Sequence, residues 1–155
     1  MTQVINISEN AVFTELKASD KEEALKIMAR AFSENGFVNE GYYQSILDRE
    51  KKAPTGIEAY DYGIAIPHTD PRFVNQDSIG VAVLKEPVIF NNMVNVDEMI
   101  EVKVIFLLGL SKSTKHLNIL RQIMDLIKEE GELKKMIAMP QDELYNYLQN
   151  HLKSE

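Results

Sequence analysis

The sequence predicts an α/β domain in which one mixed β-sheet carries helices packed on its faces. Three observations predict it. Residues 79–84 and 102–110 are near-continuous apolar runs rich in β-branched side chains, the pattern of buried strands. Capped segments with apolar residues at helical spacing lie before and after them. Strands and helices also interleave along the chain, which is the order that builds layered α/β architectures. At 155 residues one domain, 1–155, is the expectation, and no repeat, low-complexity tract or long linker divides it.

The elements follow in order. Val4, Ile5, Ile7, Val12, Phe13 and Leu16 alternate weakly and predict a short strand with an irregular approach. Asp20 with Glu23 three residues on is a capping-box pattern that opens a helix. Leu25, Met28 and Phe32, widened by Ala24, Ile27 and Ala31, give that helix a core-facing stripe. Asn35-Gly36 ends it in left-handed fashion. A second helix is expected from Asn39 to Lys52, with Tyr43, Ile46 and Leu47 inward. Arg49, Lys51 and Lys52 in its last turn suit the negative end of the helix dipole. Pro54-Thr55-Gly56 breaks the chain before an extended piece at 57–60.

Gly63-Ile64-Ala65-Ile66-Pro67-His68 reads as a strand that stops at a histidine, with Pro71 fixing the chain again just beyond. The run at 79–84 is expected to end at Pro87, followed by a short edge piece at 88–90 and a turn at Asn91-Asn92. The run at 102–110 is the strongest strand and is expected at the centre of the sheet. Ser113 or Thr114 is a plausible cap for a third helix, with Leu117, Leu120, Ile123, Met124 and Ile127 as its apolar stripe. Two shorter helices, near 132–138 and 142–152, complete the chain.

Composition narrows the function. The net charge of −7 repels phosphate backbones and anionic lipid, so nucleic-acid and membrane binding are disfavoured as main functions. With no cysteine, disulfides, thiolate nucleophiles and cysteine-ligated metals are excluded. No apolar run approaches the ~20 residues of a membrane-spanning helix, and no signal pattern opens the chain; a cytoplasmic protein is expected.

Both interior histidines fall at junctions where sites gather in α/β folds. His68 ends a strand, and His116 enters a helix directly after the strongest strand. A helix N-terminus offers unpaired backbone N–H groups and partial positive charge to an anion. One nucleophilic imidazole, a second imidazole, the hydroxyls of Ser113 and Thr114, and Arg49 are the parts needed to receive a phosphoryl group. A neutral imidazole is a competent nucleophile near pH 7. A metal at His68, Asp70 and His116 is disfavoured by spacing, and no nucleophile elbow or phosphate-binding Gly-rich loop is present. No cofactor is implied.

Pro54-Thr55-Gly56-Ile57 followed by Gly63-Ile64-Ala65-Ile66-Pro67-His68 resembles the signature of the fructose/mannitol-type enzyme IIA domain of the bacterial sugar phosphotransferase system. Lys115-His116-Leu117 with Leu120 looks like that family's second block, and Arg49-Glu50 matches its layout. The resemblance covers nearly the whole chain. It implies a mixed five-stranded sheet with helices on both sides. It implies a phosphoryl carrier that accepts phosphate from the phosphocarrier HPr on His68, at ring Nε2, and passes it to a cysteine of an enzyme IIB partner. The membrane would be reached only through enzyme IIC, and both IIB and IIC would be separate proteins. His116 would help hold the phosphoryl group and Arg49 would be a supporting cation. Many members have glycine after the histidine; Thr69-Asp70-Pro71 here looks most like the galactitol-specific branch. Thr55 and Asp70 are candidates to orient the imidazole, although short polar residues between prolines also favour a solvated turn acid at Asp70. A regulatory module, signalling through its phosphorylation state as nitrogen-related enzyme IIA proteins do, is the alternative.

Overall fold

The computed structural model of the chain describes residues 5–152, apart from the side chains at 113–116. Five strands form one sheet: β1 (Val12–Leu16), β2 (Gly56–Glu58), β3 (Gly63–Ala65), β4 (Ser78–Asn91) and β5 (Met99–Gly109). Their spatial order is β1-β4-β5-β3-β2. The β1/β4 and β3/β5 pairs are parallel; β4/β5 and β2/β3 are antiparallel. The sheet is therefore mixed and five-stranded, with β5 central, as the sequence indicates.

Side-chain alternation along β5 feeds two cores. Val104, Phe106 and Leu108 face α3 (Ser113–Ile127), α4 (Glu132–Ile137) and α5 (Gln141–His151). Ile105 and Leu107 face α1 (Lys21–Glu34) and α2 (Tyr42–Lys52). With apolar side chains on both faces, β5 must be near-continuously hydrophobic.

The first helix forms as its caps require. The Glu23 N–H donates to Asp20 Oδ1 (2.9 Å), while the Glu23 carboxylate accepts from the Ser19 N–H (3.2 Å), one residue earlier than the standard box. At its end Gly36 adopts φ +74° and the Phe37 N–H donates to the Phe32 carbonyl (3.0 Å), a Schellman closure.

Several boundaries and faces differ from the sequence expectation. The second helix starts at Tyr42, not Asn39, because Gly41 stands in the left-handed region (φ 94°) at its N-cap. Its buried face is Tyr42, Ile46 and Glu50 instead of Tyr43, Ile46 and Leu47; the Tyr42 hydroxyl donates to the Leu108 carbonyl (2.7 Å), which turns that ring inward. The strand before the histidine ends at Ala65, three residues short of His68. Pro87 does not end a strand: β4 runs through it. The proline is tolerated because the β1 pairing stops at Leu84 and the β4/β5 register shifts between Val83 and Val88. The cap of α3 is Lys112, so Ser113 opens the helix instead of capping it. The inward residues of α3 are Ile119, Ile123 and Ile127, whereas Leu117 is 66% and Met124 39% exposed. That stripe is rotated from the one expected.

Gly63 is required where β3 meets β5. A Cβ there would lie 2.2 Å from the Glu101 carbonyl oxygen. Among the described residues, no helix is long and apolar enough to cross a membrane.

The Tyr42–Leu108 bond joins α2 to the end of β5 across the core. Tyr42→Phe is expected to lower unfolding free energy by about 1–2 kcal/mol with an unchanged m-value in urea, since one buried hydrogen bond is lost without a cavity.

Candidate functional site

His68 lies just beyond β3, beside the C-terminal end of β5. Two backbone bonds hold the segment that carries it. The Ile66 N–H donates to the Thr55 carbonyl (3.3 Å), and the Leu108 N–H donates to the Pro67 carbonyl (3.0 Å). Pro67 has no N–H, so the segment leaves the sheet here without leaving a donor unpaired. The ring turns back on its own chain, and Nδ1 bonds the Ile66 carbonyl at 2.9 Å. A carbonyl only accepts, so Nδ1 carries the proton and donates it.

Arg49 of α2 approaches the other nitrogen, its Nη2 standing 3.4 Å from Nε2. Guanidinium only donates, so Nε2 offers its lone pair. Both contacts therefore fix one tautomer: Nδ1–H, with Nε2 the basic and nucleophilic atom. Burial is the main influence on the ring's pKa and lowers it; the Ile66 carbonyl opposes this and the Arg49 charge adds to it. The balance lies below the ordinary imidazole value, so the ring is neutral at pH 7.

A cleft of about 770 Å³ has His68 in its lining. Arg49, Lys52 and Arg72 bring three cations to its lining, against the carboxylates of Asp48 and Asp70. The basic cluster at the end of α2 is thus divided, with Arg49 and Lys52 on the cleft. Thr69, 5% exposed, is tied by its hydroxyl to Ser45, one helical turn before Arg49. That bond holds α2 against the residue following His68. Asp70 caps a short 3-10 turn, Pro71–Phe73: its Oδ1 accepts from the Arg72 N–H (2.9 Å) and its Oδ2 lies 4.0 Å from Arg72 Nε. Its carboxylate thus serves the turn and Arg72, while the imidazole takes its orientation from the Ile66 carbonyl.

Thr55 is 1% exposed and lies one bond from the histidine segment, through the Ile66 N–H. Its own hydroxyl and N–H donate to Glu50 (2.8 and 2.7 Å). Ser45 and Arg72 were not singled out from the sequence, and Glu50 and Thr69 entered only through the family resemblance, with no role given to either. Glu50 carried a usable signal, since it falls four residues after Ile46 on a helix face that is otherwise apolar.

The expected second histidine, His116, and the hydroxyls of Ser113 and Thr114 lie outside the described side chains. Their backbone forms the first turn of α3, and Leu117 and Leu120 of the same helix line the cleft with His68. Among the described residues, no group of three or more His, Asp or Glu side chains is placed to hold a metal ion.

The family model described as "Phosphoenolpyruvate-dependent sugar phosphotransferase system, EIIA 2" matches residues 6–151. The mannitol-specific phosphotransferase enzyme IIA component of Halalkalibacterium halodurans is 30% identical over 143 residues, covering 90% of this chain and 90% of that protein. The transcriptional regulator ManR of Bacillus subtilis is 34% identical over 87 residues, 56% of this chain; the match spans 13% of the regulator's length. In solved structures, enzyme IIA-mannitol of Escherichia coli, in complex with phosphorylated enzyme IIB-mannitol, superposes with a TM-score of 0.76. It is 21% identical and covers 94% of this chain and 99% of that one, a likeness of fold.

His68 should titrate below 6.5 by NMR. Arg49→Ala should move its midpoint upward, because the nearby positive charge disfavours the imidazolium. As pH falls the unfolded chain takes up the proton first, so this residue's contribution to stability is present above pH ~6.5 and declines toward the folded-state midpoint.

Proposed function

We infer the function from one premise, that the chain belongs to the EIIA 2 family of the phosphoenolpyruvate-dependent sugar phosphotransferase system, a family of phosphotransferase components. From that membership we propose that it is a phosphoryl carrier in sugar uptake, working in the cytoplasm with His68 as acceptor. The observation that carries the assignment is the pair of contacts on one ring: Nδ1–H bonded to the Ile66 carbonyl, and the Arg49 guanidinium at 3.4 Å from Nε2.

The Nε2 lone pair attacks the phosphorus of a phosphohistidine on HPr, in line with the donor nitrogen. The donor P–N bond breaks and its electron pair stays on the donor ring. Arg49 and Lys52 balance charge on the equatorial oxygens. In the second step a cysteine thiolate of an enzyme IIB attacks the same phosphorus, and the P–Nε2 pair returns to the imidazole. The proton stays on Nδ1, donated to the Ile66 carbonyl, throughout, so neither step waits for a proton exchange at the ring. Enzyme IIC, in the membrane, would use the cysteine-bound phosphoryl group. His116, with Ser113, Thr114 and the first-turn N–H groups of α3, would steady the phosphoryl group from the far side of the cleft; Leu117 and Leu120 on the cleft wall support that placement.

The sugar is a hexitol in this proposal. The Halalkalibacterium relative is named mannitol-specific, and Thr69-Asp70-Pro71 resembles the galactitol branch. A second reading, control of another protein through the phosphorylation state of His68, is favoured by the stretch shared with a transcriptional regulator.

Incubation with enzyme I, HPr and labelled phosphoenolpyruvate should place one acid-labile, base-stable phosphate on the chain, and His68→Ala should take up none. A labelled alanine variant removes His68 from the role. His116→Ala should still be labelled but pass phosphate on roughly 10- to 1000-fold more slowly, as for loss of one transition-state donor. Delivery to a cysteine-bearing IIB protein supports transport; stable retention with every such acceptor supports regulation.

A further inference from the structure

We propose that Glu50 is a positioning residue for phosphoryl transfer, setting the orientation of the His68 ring through Thr55 and Ile66; this rests on the phosphoryl-carrier reading above. Glu50 is a carboxylate with 3% exposure on the inward face of α2. Both its oxygens are spent on one residue, taking the Thr55 N–H at Oε2 (2.7 Å) and the Thr55 hydroxyl at Oε1 (2.8 Å). A two-point grip of this kind fixes orientation as well as distance. The backbone of Thr55 is thereby pinned, and its carbonyl receives the Ile66 N–H. The Ile66 carbonyl receives the His68 Nδ1 proton. Four residues form one unbroken chain of hydrogen bonds from helix to nucleophile.

Arg49 and Glu50 are adjacent on α2 and therefore point about 100° apart. Arg49 reaches the cleft and meets Nε2, while Glu50 enters the protein and controls the acceptor for Nδ1. One turn of one helix thus governs both nitrogens of the ring, directly at one and at two removes at the other. Burial raises the Glu50 pKa; the two Thr55 bonds, then the Lys21 and Arg49 charges, oppose it. A carboxylate is costly in such a place unless its oxygens are engaged, and those bonds also hold the turn before β2.

The test reads the ring and the reaction separately. Long-range 1H–15N NMR on the unphosphorylated protein gives the His68 tautomer. Single-turnover transfer from phospho-HPr gives the rate. Glu50→Ala should populate the other tautomer and slow transfer about 10- to 100-fold at saturating donor, the cost of a misplaced reacting group. Glu50→Gln should restore the native tautomer and come within about 3-fold of the native rate, because its amide can still accept from the Thr55 N–H and donate to Thr55 Oγ. Where Glu50→Ala does not fold, Thr55→Val decides: it deletes one of the two bonds and should shift the tautomer the same way. A folded Glu50→Ala or Thr55→Val protein with the native tautomer and rate overturns the proposal, as does a Glu50→Gln protein as impaired as Glu50→Ala. A native chain that accepts no phosphate would sink the carrier reading, yet the tautomer readout would still decide what Glu50 does to the ring.

Discussion

The bond from His68 Nδ1–H to the Ile66 carbonyl is the interaction on which the proposed phosphoryl transfer depends. An imidazole has two equivalent-looking nitrogens, and only the unprotonated one can attack phosphorus. Fixing the proton on Nδ1 commits the lone pair to Nε2 and aims it at Arg49. The acceptor carbonyl belongs to a residue pinned from both sides, by Thr55 through its own N–H and by Leu108 through the next carbonyl. Sheet, turn and helix thus converge on one carbonyl oxygen. Burial then keeps the ring neutral, so the same geometry supplies tautomer and protonation state together.

Charge is distributed against the average of the molecule. The chain carries −7 overall, yet among the described residues three cations stand at the cleft against two carboxylates. A phosphoryl group brings negative charge, and a local excess of cations favours its arrival where the bulk of the surface would repel it. The carboxylates have their own work. Asp70 caps the turn that follows the histidine and lies beside Arg72, on the edge of the cleft. The exposed side chain of Leu117 adds an apolar surface to the same cleft.

Much of the architecture was legible in the sequence because it rests on local signals. Residues 102–110 could only be a strand buried on both faces, and the Asp20/Glu23 and Asn35-Gly36 pairs marked the ends of the first helix. His68 stands out in the sequence because two prolines frame it at the end of an apolar run, and the structure places it on the lining of the cleft. What failed was whatever depended on tertiary partners. Pro87 reads as a strand end, but an unpaired flank and a register shift let β4 pass through it. The inner face of α2 could not be phased correctly without knowing that the Tyr42 hydroxyl finds the Leu108 carbonyl. The Glu50–Thr55 grip joins residues five apart across a helix end, and neither side chain announces the other. Asp70 was legible as a turn acid, which is the place it takes.

The central claim is that Nε2 of His68, and no other atom, takes the phosphoryl group. The most direct measurement is 15N and 31P NMR of the 15N-histidine protein after phosphorylation, which reports the phosphorus–nitrogen coupling and the ring tautomer together. The account requires coupling to Nε2 of His68, with the proton still on Nδ1. Phosphate on Nδ1, or on any other residue, would contradict it.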